Sequence, residues 1–199
     1  MKQTMVVSVL LMLLCGCATK VQKSGFLSDY SKLQVESETK MRYSNAAKLK
    51  TYKSFIIEPV QIHFHSKSEA SKKIKKEQIQ QLTLYMHDAI VKALGDAYHI
   101  ESVPGPGVLR IRAAITDLKK TEPAMNILPA TKLTGLGLGA ASLEAELLDS
   151  QTGEQIAAVI ESQIGSRLSL AGYSEWGDAK EIMNGWAKSF RARLDEIHQ

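Results

Sequence analysis

Beyond position 17 the chain has no cysteine; its two, Cys15 and Cys17, fall among the first seventeen of 199 residues. With that leading segment set aside, disulfides, cysteine-ligated metals and thiol catalysis are excluded for the body of the protein. An excess of one charge is lacking too, since 25 Lys and Arg stand against 21 Asp and Glu. Lys2 is the only charged residue before Cys17, so the remainder carries 24 basic and 21 acidic residues. That balance builds no basic field, and no nucleic-acid partner is expected. Neither an internal repeat nor a long low-complexity tract occurs, and no apolar run reaches the roughly 20 residues that a membrane-spanning helix needs.

What is present begins with MKQTMVVSVLLMLLCGCAT. Lys2 supplies a positive start, Met5 to Leu14 a short apolar core, and Leu14-Cys15-Gly16-Cys17 a small-residue end, the order of a secretory signal. The ending resembles the lipobox of bacterial lipoprotein precursors. That resemblance implies a signal peptide over residues 1–16, with Cys17 as the new N-terminus carrying a diacylglycerol and an N-acyl chain such as palmitate. Cys15 follows the bulky Leu14 and is the poorer cleavage site. Ala18, in place of Asp, implies by the same resemblance an outer-membrane anchor with the domain facing the periplasm.

Residues 17–50 read as a lipidated tether, short of apolar residues except around Phe26, Leu27, Tyr30 and Leu33, which form a docking segment. Residues 51–199 have the length of a single domain. Tyr52 to His63 is a strand with Pro59 near an edge, and Lys72 to Ala97 an amphipathic helix with Ile79, Leu82, Met86, Ile90 and Leu94 on one stripe. Tyr98–Val103 and Val108–Leu118 follow as strands around Pro104-Gly105-Pro106-Gly107. Gly139–Leu148 and Glu154–Ile164 pair through the turn residues Asp149 to Gly153. Alternation places Ile156, Ala158, Ile160 and Ile164 on one face and leaves Glu144 and Glu146 to solvent. A closing helix, capped by Ser174, buries Trp176, Ala179, Met183, Trp186, Phe190, Leu194 and Ile197. The order predicts a two-layer α/β (α+β) domain: a mixed, mostly antiparallel five-stranded sheet, wet on one side, with two helices on the other face.

The pieces SGFLSDYS at residues 24–31 and LLDSQTGE at 147–154, with the Glu58-Pro59-Val60 strand end and the helix from Trp176, resemble the bacterial lipoproteins grouped as domain of unknown function 3313. The resemblance spans most of the chain after Cys17. It implies an envelope lipoprotein and carries over no catalytic residue.

Candidate chemistry is thin. His63 and His65 alternate at a strand end without a third ligand, so no metal is expected. Ser142 lacks the G-x-S-x-G turn of a nucleophile elbow. Glu144 and Glu146 face one way as an acid and base could, but without a cleft. Gly135-Leu136-Gly137-Leu138-Gly139 is no phosphate loop, because no strand feeds it and a strand follows it. With Leu133 it forms an apolar segment that either covers the edge of its own sheet or meets a partner or a second copy. Lys72, Lys73, Lys75 and Lys76 crowd a helix start, where the dipole disfavours cations, and are candidates for contact with an anionic surface.

The sequence therefore points to a non-enzymatic binding or assembly module of the cell envelope, tied to the membrane through its lipid and needing no cofactor. A subunit of an oligomeric lipoprotein ring or secretion assembly stands second, and an envelope hydrolase last. Cys17→Ala is expected to abolish metabolic labelling with a fatty acid while Cys15→Ala leaves it intact. Label retained in the Cys17→Ala protein would refute the assignment.

Overall fold

The computed structural model describes residues 21–95, 97–127 and 134–199, so Cys15, Cys17 and Leu133 lie outside the described residues. In chain order the elements are β1 (Gln34–Ser37), β2 (Lys40–Ser44), α1 (Ala46–Leu49), β3 (Ser54–Ile57), β4 (Gln61–Ile62), α2 (Ala70–Lys73) and α3 (Lys76–Leu94). They continue with β5 (His99–Ile100), β6 (Val108–Lys119), α4 (Pro123–Ile127), β7 (Ala140–Asp149), β8 (Gln155–Ile164) and α5 (Gly177–His198). One eight-stranded sheet runs β1-β2-β8-β7-β6-β3-β5, and β4 joins β6 beyond β3. The β1, β2, β8, β7 and β6 neighbours pair antiparallel, while β3, β4 and β5 add parallel.

The α+β class stands, with more strands than the five expected. Residues 34–44, which read as tether, form the β1–β2 hairpin and extend the sheet past β8. Pro59, which has no N–H to give, splits the Tyr52–His63 run into β3 and β4, both on β6. The long helix also begins later than its periodicity suggested. Lys72 and Lys73 close the short α2, Ile74 is extended and buried, and α3 starts at Lys76. Lys72 and Lys73 thus sit at a helix C-terminus, where the dipole favours cations, and both pair with Glu69. Ser174 does not cap α5; the helix starts at Gly177, after Trp176.

Both long helices pack on the same face. Leu82, Met86, Ile90 and Leu94 of α3 and Ala179, Met183, Trp186 and Leu194 of α5 meet Leu109, Ile111, Ala113 and Ile115 of β6 and Leu143 and Leu147 of β7. The opposite face is not wet. Phe26 and Leu27 form a second core there with Ala114, Ala158 and Ile160. A bulge opposite Leu147 and Leu148 shifts the register of β8, so Ile156 joins the helix side while Ala158 and Ile160 point the other way.

Trp186 is buried in the principal core, whereas Lys188 is exposed on the same helix. Trp186→Ala is expected to cost about 3 to 5 kcal/mol, and Lys188→Ala no more than about 0.5 kcal/mol. Denaturant titration of both variants checks this; equal midpoints would place Trp186 outside the core.

Candidate functional site

Two helices side by side cover roughly 20 Å, whereas seven strands about 4.8 Å apart span roughly 29 Å. The sheet therefore overhangs α5 along β8 and β2. Under that overhang lies an apolar groove of about 510 Å³, within the volume range of small-molecule sites. Its walls include Leu49, Met86, Leu143, Trp186, Phe190 and Ile197, and its sheet floor includes the small side chains Ala113, Ala145 and Ala157. The alanines leave the space that larger residues would fill. Charge gathers at the rim, where Lys40 pairs with Glu161 at 3.0 Å. The Glu36 carboxylate meets Arg42 at 3.0 Å and Arg193 at 3.7 Å, joining the edge of the sheet to the helix.

On the far side of the sheet, the position of Glu144 and Glu146 corrects the sequence reading. Both are buried, at 0% and 1% exposure. Glu144 accepts the Ser24 N–H and the Tyr30 hydroxyl. Glu146 accepts the Ser28 N–H at 3.0 Å, the Ser28 hydroxyl at 2.7 Å and the Gln155 amide at 2.8 Å on one oxygen, and Arg112 at 2.6 Å on the other. The segment turns at Gly25, whose φ of +96° suits a residue without Cβ. Gly25 and Leu27 then donate their N–H groups to the Tyr30 oxygen. Phe26 lies beneath the Arg112 guanidinium, 4.9 Å from ring centre to carbon. Burial first, and then the bond to Glu144, raises the Tyr30 phenol above its ordinary range. These carboxylates hold the chain's own N-terminal segment.

The glycines of 135–139 serve packing. A Cβ on Gly137 would press on Met125 and Asn126, and one on Gly139 on Thr121 and the Lys119 carbonyl. Asp178, buried in the first turn of α5, accepts the Gly139 N–H at 2.8 Å and the Thr121 hydroxyl at 2.9 Å. Leu138 is buried and Leu136 is exposed. Lys72, Lys73, Lys75 and Lys76 are all exposed, and none of them lines the groove. His65 lies 3.6 Å from Asp117, and the His63 ring stands edge-on to Phe26. Ser142 donates to Ser162. The groove residues escape a sequence reading because each looks like ordinary core; only the alanines on three neighbouring strands, β6, β7 and β8, signal open space.

A family model for a protein of unknown function, DUF3313, matches residues 22–190. A search of characterised proteins returns no significant match. Among solved structures, the PelC dodecamer from Paraburkholderia phytofirmans is similar at 12% identity and a TM-score of 0.41, over 81% of this chain and 96% of that one. A Xanthomonas campestris protein of family DUF330 is similar at 14% identity and a TM-score of 0.32, over 57% of this chain and 64% of that one.

Glu146→Ala removes the acceptor for four donors, and each buried donor left without a partner costs about 1 to 3 kcal/mol. The variant is expected to lower stability and to speed hydrogen exchange at the Ser28 amide, and Glu144→Ala to do the same at Ser24. Unchanged protection at both amides would show that Phe26 and Leu27 alone hold the segment.

Proposed function

The chain belongs to the DUF3313 family, and we propose that it is a non-enzymatic binding module of the cell envelope, anchored in the outer membrane through Cys17 and facing the periplasm, whose groove takes an acyl chain. The groove itself carries this reading. It is lined mainly by apolar side chains, with Lys40, Arg42 and Arg193 among its charged residues beside Glu161 and Glu196. Apolar walls contribute affinity roughly in proportion to the area they remove from water, and the rim cations suit an anionic or polar head. Glu36 bridges Arg42 and Arg193, and a head group would take its place. Support for a non-enzymatic role comes from the two buried carboxylates, which are occupied by donors from residues 24–30.

The test is titration of the full chain with a naturally fluorescent polyene fatty acid, read by energy transfer from tryptophan, since Trp186 lines the groove. Saturable transfer is expected, and Ala145→Phe, which fills the groove floor, should weaken it at least tenfold while the melting curve stays cooperative. Absence of transfer, or equal binding by the variant, would refute an acyl ligand in this groove.

A further inference from the structure

Three features far apart in the sequence meet at one end of the sheet, the end where Ala140 pairs with Lys119 and with Ile164. The first is the exit of the N-terminal segment. Val21 donates its N–H to the Glu38 carbonyl at 3.2 Å in the β1–β2 turn, and Ser162 donates to the carbonyl of the next turn residue, Thr39, at 2.9 Å. Cys17 stands four residues before Val21. An extended chain covers at most about 3.6 Å per residue, so the cysteine reaches no more than roughly 14 Å from Val21.

The second feature is a lobe made by the loops flanking β7 and β8. Arg167 donates to the Thr134 carbonyl, Gly165 to the Gly139 carbonyl at 2.9 Å, and Asn126 to the Gly172 carbonyl at 2.8 Å, so the loops hold one another. Outward from that lobe stand Leu168 at 95% exposure, Leu170 at 78%, Ile127 at 68% and Leu136 at 59%. Exposed apolar groups gathered in this way mark a surface that meets something.

The third is the lysine cluster. Ser68 donates to Asp117 near the end of β6, and Gln78 and Lys120 both reach Glu175 just before α5, which sets α2 and the start of α3 at this same end. Residues 67–77 hold five lysines, Lys67, Lys72, Lys73, Lys75 and Lys76, against Glu69 and Glu77.

We propose that this end of the sheet is a membrane-apposed face. Leu136, Leu168 and Leu170 sit at the boundary between headgroups and acyl chains of the leaflet that holds the lipid on Cys17, and Lys72, Lys73, Lys75 and Lys76 lie on its anionic phospholipid headgroups. The inference rests on the lipid-anchor reading above. Chain length and charge single out the bilayer. A leaflet holding the acyl chains of a cysteine so close to Val21 lies beside this end, and its anionic headgroups match the flank of lysines. The β7–β8 turn around Thr152, at the opposite end, then points away from the membrane.

The absence of cysteine after position 17 makes the test clean. The full lipidated protein, carrying Leu136→Cys, Leu168→Cys or Thr152→Cys with an environment-sensitive dye, is reconstituted into vesicles of phosphatidylcholine and phosphatidylglycerol that contain a shallow spin-labelled lipid quencher. Mass spectrometry reports the acyl chains on Cys17, and flotation reports attachment. Dyes at 136 and 168 are expected to be quenched at least threefold more than the dye at 152. Changing the four lysines to Gln should at least halve that excess in phosphatidylglycerol vesicles and leave it unchanged in pure phosphatidylcholine. Equal quenching at all three positions, in a protein that floats and carries its acyl mass, overturns the face and leaves the anchor standing. Absence of acyl mass overturns the anchor reading and this inference with it. Quenching that ignores the lysine changes overturns their assignment. Energy transfer between dyes on different copies, with no response to the lipid quencher, would make the lobe a protein interface and refute the proposal.

Discussion

Glu144 and Glu146 stand two residues apart on a central strand with almost no exposure to solvent. Withdrawing a carboxylate from water costs several kcal/mol unless donors replace the lost hydration. Among the described residues, the strands on this face supply Arg112 and Gln155. The remaining donors come from Ser24, Ser28 and Tyr30, far away in sequence and brought in by the docking of residues 24–30. Charge-assisted bonds of this kind are roughly twice as strong as neutral ones, and Phe26 and Leu27 add apolar burial beside them. The N-terminal segment is therefore part of the fold, and the place where the chain leaves the domain is set by it.

The same docking leads the chain into β1 and β2, and these widen the sheet beyond what α3 and α5 cover. A groove between the overhanging strands and α5 follows from the count of strands against the count of helices. Its depth follows from Ala145, Ala157 and Ala187 where larger residues would have closed the gap. Glu36, on the strand added last to this edge, reaches Arg193 on the helix. The clasp on one face and the groove on the other are thus two consequences of how residues 24–44 are used.

Sequence periodicity revealed both long helices, the three long strands and the Asp149–Gly153 turn, because each is a local pattern with a clear period. It failed where the pattern shifts. The bulge facing Leu147 and Leu148 moves Ala158 and Ile160 away from the side of Ile156, and a strictly alternating reading cannot register the extra residue. Glu144 and Glu146 looked solvated because polarity in a strand normally means water. Their partners in the N-terminal segment, Ser24, Ser28 and Tyr30, lie more than a hundred positions away, and only the third dimension reveals them. Short strands such as β1, β4 and β5 have too few residues to show any period. Of the candidate residues, the four lysines were visible as a cluster. Their neighbours at the same end of the sheet were not.

The glycine-rich run shows how a misleading motif arises from packing. Asp178 sits in the positive first turn of α5 and collects the Gly139 N–H and the Thr121 hydroxyl. A Cβ on Gly165 would fall within the Asp178 carboxyl itself. Small residues are required wherever two loops cross so closely over a buried charge, and the glycine spacing follows from that crossing. Such a network fixes the lobe in one arrangement. Loops free to fold back could turn Leu168 and Leu170 inward, whereas loops held by Asp178, Asn126 and Arg167 present them to the outside. Exposure there is a product of a rigid polar scaffold, and the scaffold gives the apolar side chains a defined direction in which to meet a surface.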